Sequence, residues 1–218
     1  MDNLIGKLRN EVNNLLNQFT IKDISHDISH LDRVYKMALF IDKKEKLNTN
    51  LEVLGISIYF HDLHRIAKKN NYLTNSNDGI ELISSIYKKL DLPNNIFEKV
   101  IECISSTDKF SFNNSNVVKT NEIKIIQDSD NLDALGAIGI ARAFAFGQLI
   151  NEDMFNNKIS LTNLEYNPTK KSPSVIHHFY EKLLKLENEM NTKLAINIAK
   201  KRIKFMKSFL KEFFNDWN

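Results

Sequence analysis

The sequence predicts an all-α fold, a single-domain helical bundle spanning residues 1–218, and three observations predict it. Only 6 Gly and 3 Pro occur in 218 residues, too few to punctuate a loop-rich β architecture. Apolar residues recur at helical spacing along most of the chain instead of alternating. Hydrophobic residues at 42% and charged residues at 26% are ordinary globular values, and a chain this long can bury a substantial core.

Each element follows from its pattern. Leu4, Leu8, Val12, Leu15, Leu16 and Phe19 share a stripe and predict a helix over 2–19. The same spacing predicts helices over 28–45 and over 51–68, the latter running through "LGISIYFHDLHRIAKK". A fourth starts after "NSND", whose short polar side chains suit an N-cap, and ends near Leu90. Pro93 opens a fifth, with Ile96, Phe97, Val100, Ile101 and Ile104 inward. A long sixth covers 121–147, where Gly136 and Gly139 suggest close packing of helix backbones. The last two run over 174–190 and 192–217. Residues 107–120 and 150–172 are expected to be irregular, and neither repeats nor interdomain linkers appear.

The chain shows no secretory signal pattern and no apolar run of 18 residues. Its lone cysteine, Cys103, excludes an intrachain disulfide and suits a reducing compartment. A soluble cytoplasmic protein is expected, with no membrane partner. Net charge is +3, yet residues 191–218 hold seven Lys/Arg against Glu212 and Asp216. The run "KKRIKFMK" would suit an anionic polymer, but Ile203, Met206, Phe209, Leu210 and Phe213 make it the solvated face of an amphipathic helix. Nucleic acid is therefore not the expected partner, and the pattern does not encode an oligomeric state.

All six histidines fall in "SHDISHLDRV", "FHDLHR" and "VIHHFY". His30 shares a stripe with Val34, Met37 and Ile41; His61 shares one with Leu54 and Ile58, with Asp62 about 100° around. Asp130 shares a stripe with Ile123 and Ile126. Three apolar helices thus each direct a metal-capable group inward, where an unpartnered carboxylate would cost several kcal/mol or shift its pKa strongly. A shared metal ion would answer all of these burials. Asp128 is expected to point elsewhere, beside Lys124 at i−4 or toward Arg33.

The order His30, His61-Asp62, Asp130, with "QDSDNLDALGAIGIARAFAFG" and "HHFYEKLLKLENEMNT" behind it, resembles the HD superfamily of metal-dependent phosphohydrolases, in particular its bacterial YpgQ and YedJ branch. The likeness runs from about residue 26 to the C-terminus. It implies a metal-binding core over about 26–147, with the helices of 174–217 packed on it. It implies His30, His61, Asp62 and Asp130 as ligands to one divalent ion. Two imidazoles with two carboxylates favour Mn²⁺, with Fe²⁺, Co²⁺, Ni²⁺ or Mg²⁺ as alternatives. The reaction implied is hydrolysis of a nucleotide or related phosphate by metal-activated water, as a pyrophosphohydrolase or phosphatase. A 5′-nucleotidase, a phosphodiesterase or a module that binds nucleotide without turnover are the alternatives.

Arg33 matches the arginine of the family's opening motif and could hold phosphate. Arg65, Arg142 and Lys185 are further candidates for the substrate's charge, whereas Lys68 and Lys182 read better as surface cations. The chain also departs from the pattern. Many members place an acid three residues after the HD aspartate; here that position is Arg65. Its work would fall to His64 or to Asp133. Histidines usual in the stretches that here read "NDGIELI" and "STDKFSF" are missing, which favours one metal over two.

Overall fold

The computed structural model describes residues 2–71, 78–108 and 119–217. Among these no strand occurs, and the fold is all-α. The N-cap expected in "NSND" and most of the irregular stretch 107–120 lie outside the described residues. Two compact units share the chain. The first holds the described residues as far as Ile126, and the second holds those from Gln127 onward.

In the first unit, α1 (Asp2–Gln18) and α2 (Ile28–Glu45) follow their predicted stripes. Asp27 caps α2 by accepting a hydrogen bond from the His30 amide at 2.9 Å. Asn50 likewise caps α3 (Leu51–Phe60), accepting from the Glu52 and Val53 amides. Every residue of α3 from Val53 to Phe60 is buried, and the helix packs against α1, α2 and α6 (Phe97–Asp108). Full burial of each large aliphatic side chain contributes roughly 1.5–3 kcal/mol, so α3 is the axis of this unit.

The predicted helix over 51–68 is two helices. It breaks at His61-Asp62 and resumes as α4 (Leu63–Lys69). The pattern concealed this break because both residues stay near right-handed helical geometry, with Asp62 at φ −101° and ψ −7°. A kink without Gly or Pro leaves the apolar period almost intact. α5 (Asp78–Lys89) packs against α4, and a 3₁₀ turn over Asn94–Ile96 follows Pro93 and leads into α6.

The predicted sixth helix is also two, α7 (Asn121–Asp133) and α8 (Gly136–Leu149), at 76° to each other. Gly136 sits at φ +76°, a region that costs other residues strain, so its role is the corner itself. A side chain at Gly139 would lie 2.2 Å from the Ala134 carbonyl oxygen; the close approach is to that corner. No single helix among the described residues is long and apolar enough to cross a membrane.

The second unit also contains α9 (Val175–Glu181), a 3₁₀ segment over Leu183–Glu189 where one continuous helix was expected, and α10 (Lys193–Trp217). Ile203, Met206 and Leu210 are buried in α10 while Lys200, Lys201, Lys204, Lys207 and Lys211 are exposed, as the amphipathic pattern required. Residues 150–174 form no helix but are laced to α9. Val175 and Ile176 amides donate to the Asp153 and Met154 carbonyls at 2.9 and 3.0 Å. His177 is fully buried, with Nδ1 2.7 Å from Ser174 Oγ and Nε2 3.1 Å from the Ile159 carbonyl.

Nearby, Glu181 accepts from Ser172 Oγ and lies 3.1 Å from His178 Nδ1. Burial pushes His178 below its ordinary 6.5, although Glu181 works against that shift. Burial works to raise Glu181, but His178 and Ser172 hold it below its ordinary 4.5. The folded state thus resists protonation at both groups, so stability is lost as pH falls, from about 6.5 for His178 and below about 4.5 for Glu181. Melting temperature is expected to decline from pH 7.5 to 5.5, and His178→Gln should flatten that decline. Parallel profiles for the two proteins would contradict this assignment.

Candidate metal centre

Three of the expected ligands converge within the first unit. His30 is delivered by the first turn of capped α2, His61 by the end of α3, and Asp62 by the break before α4. His30 and His61 are fully buried, and Asp62 is 1% exposed. Both imidazole Nε2 atoms lie 3.3 Å from the same oxygen, Asp62 Oδ2. The rings have centroids 5.5 Å apart, and their ligand atoms lie within 4.8 Å of each other.

The chemistry of these donors fits an ion. His61 Nδ1 lies 2.7 Å from the Ile58 carbonyl. A carbonyl only accepts, so Nδ1 carries the proton and Nε2 presents a lone pair toward Asp62. Neighbouring ligands around an ion with bonds of about 2.1 Å sit roughly 3 Å apart, close to the separations found. The break places Asp62 within reach of both imidazoles.

Arg65 follows Asp62 by three residues, in the first turn of α4. Its guanidinium donates to the other oxygen of Asp62, Oδ1. Burial works to raise the Asp62 carboxyl, but the Arg65 guanidinium beside it holds it well below the usual carboxylate range. Arg65 thereby orients a ligand, in addition to the substrate role expected of it. His64 is half-buried on α4, and α5 passes over it so tightly that a side chain at Gly79 would lie 2.8 Å from His64 Cβ. Arg33 is half-buried one turn beyond His30.

The remaining candidates belong to the second unit. Asp128 does not extend toward Lys124. It is fully buried and accepts from the Asn191 amide (2.7 Å), Asn191 Nδ2 (2.9 Å), the Thr192 amide (2.8 Å) and Thr192 Oγ1 (2.7 Å). It tethers the residues that start α10, and burial raises its carboxyl against the pull of those donors. Asp133 pairs with Arg142 at 3.0 Å, both largely buried. Asp130, between them, is half-buried. Lys185 donates to the Leu164 carbonyl at 2.8 Å, and Lys182 lies 4.8 Å over the Tyr166 ring. The sequence reading missed Asp23, whose carboxylate lies beside His26; only the repeated "HD" of His26-Asp27 marked that segment.

No protein-family profile matches the chain. It is 28% identical to Bacillus subtilis YpgQ over 202 residues, 90% of this chain and 87% of that one. Among solved structures, an HD-superfamily hydrolase from Bacillus thuringiensis is 30% identical, with a TM-score of 0.71 over 98% of this chain and 96% of its own. The structure of B. subtilis YpgQ in complex with ADP gives a TM-score of 0.70 at 26% identity, covering 97% of each chain.

Proposed function

Since this chain belongs to the HD superfamily of hydrolases, we propose that it is a metal-dependent phosphohydrolase acting on nucleotides. The observation that carries this reading is the convergence of His30 Nε2, His61 Nε2 and Asp62 Oδ2 in a fully buried cluster. The ADP found on YpgQ supports a nucleotide as the substrate class.

We assign Asp130 as the further carboxylate ligand, because Asp128 is committed to Asn191 and Thr192 and Asp133 pairs with Arg142. The mixed nitrogen and oxygen set favours Mn²⁺ among divalent ions. Such an ion supplies Lewis acidity, lowering the pKa of a water and offsetting charge at phosphorus. The chain's own work is to hold the His61 imidazole in one tautomer and to fix Asp62 through Arg65. Arg33 offers a cation for the substrate's phosphate. Arg142 and Lys185 serve the substrate only by leaving the partners described above.

A second reading, nucleotide binding without turnover, is favoured by one observation: the position that could carry a water-activating acid is Arg65, bound to Asp62. A panel of mono-, di- and triphosphates with Mn²⁺, Mg²⁺, Co²⁺ and Ni²⁺, scored separately for phosphate and pyrophosphate, decides between them. Metal-dependent release of either product is expected; ADP binding with no release under any metal would establish the second reading. Arg33→Gln should lower turnover about 100-fold with metal still bound, the scale for removing one group that stabilises developing charge. A large fall in melting temperature with normal turnover would make Arg33 a structural cation.

A further inference from the structure

We propose that Asp23 is a positioning residue of this metal centre, a brace that ties the start of α2, which carries His30, to the end of α4, the helix that Asp62 precedes. The proposal rests on the metal-centre reading above. The Asp23 side chain is 5% exposed. Oδ2 lies 3.1 Å from His26 Nδ1 and 3.3 Å from Lys69 Nζ. Oδ1 accepts from the Ser25 amide at 3.0 Å and from Ser25 Oγ.

Each arm of this cluster leads to a ligand-bearing element. The His26 ring meets the His30 ring at 83°, with centroids 5.8 Å apart. Lys69 closes α4. The next residue fastens the same loop: the Ile21 amide donates to Asn70 Oδ1 at 2.7 Å, and Asn70 Nδ2 to the Ile21 carbonyl at 3.4 Å. Burial works to raise the Asp23 carboxyl, but His26, Ser25 and Lys69 hold it far below its ordinary value. It is a fixed anion gripping a loop donor, an imidazole and a helix end.

The consequence is geometric. A ligand ring is held in register by the groups around it, and losing such a partner typically weakens metal binding 10–100-fold. Without the brace, His26 is released from the His30 ring, and α4 loses one tie to the loop that precedes α2. His30 Nε2 and Asp62 Oδ2 then no longer keep their 3.3 Å spacing.

The test is Mn²⁺ titration of the full-length protein by calorimetry, with melting temperatures recorded alongside. Asp23→Asn, which keeps volume but removes the anion, is expected to weaken Mn²⁺ binding at least 10-fold. His26→Phe, which keeps an aromatic edge near His30 but loses the bond to Asp23, should fall between Asp23→Asn and wild type. Glu11→Gln, at the exposed pair with Lys89, should match wild type. If Asp23→Asn fails to fold, Lys69→Met cuts one arm of the brace and is judged by the same shift. Unchanged Mn²⁺ affinity in the folded variants, with or without a fall in melting temperature, overturns the proposal and leaves Asp23 a purely structural residue. Wild-type protein that takes up no Mn²⁺ overturns the metal-centre reading itself, and this proposal with it.

Discussion

Replacing His61 by alanine is expected to weaken binding of a divalent ion by at least about 100-fold, beyond the 10–100-fold typical of losing an outer partner. The imidazole is one of two nitrogen donors in a cluster whose other donor within the first unit is a single carboxylate oxygen. Mid-row ions lose much of their preference when imidazole is withdrawn. His61→Gln is the companion variant, since it restores bulk in a fully buried position without restoring the donor. Metal content after dialysis, measured on folded protein, checks the result. Equal stoichiometry in wild type and both variants would remove His61 from the site.

Asp128→Ala is expected to cost about 3–5 kcal/mol of stability, the scale for leaving two buried amides without their acceptor. It would strand the Asn191 and Thr192 amides, each at about 1–3 kcal/mol when left unsatisfied. For a protein of this size each kcal/mol lowers the melting temperature by roughly 2–4 °C, so a fall of about 6–20 °C should appear in a thermal scan. Asp128→Asn should lose less, because its amide oxygen still accepts. Metal binding should survive in both. Loss of the ion with an unchanged melting temperature would mean that Asp128, and not Asp130, is the ligand.

These two residues also mark how far the sequence could be read. His61 lay on a stripe with Leu54 and Ile58, and local periodicity is enough to turn it inward. Asp128 lies on a helix buried on most sides, where Ile123, Ile125, Ile126, Ser129 and Leu132 all avoid solvent. A stripe cannot pick out one inward face on such a helix. Its partners lie 63 and 64 residues away, and no local pattern announces them. Helix ends were legible where the residue type marked them, as at Pro93, which leads through a 3₁₀ turn into α6. The internal breaks were not. Gly136 was visible in the sequence, but a glycine inside an apolar run reads equally as a packing site or a corner, and only its positive φ separates the two. Asp133 and Arg142 are nine residues apart, and they meet because the chain turns between them.

The lacing of residues 150–174 bears on how the protein yields to proteases. A connection of this length without helix would ordinarily be the first place cut. Here its two ends are pinned by backbone bonds from Val175 and Ile176 and by the Lys171 amine on the Ile150 carbonyl, and Ile159 is held by buried His177. A protease needs several residues free in extended form, so cleavage near Lys158 must wait for His177 to let go. Trypsin should instead enter around Lys170, where the Asn167 turn is exposed and bonded only to itself. A nicked chain would keep both fragments associated, because the anchors lie on either side of that cut.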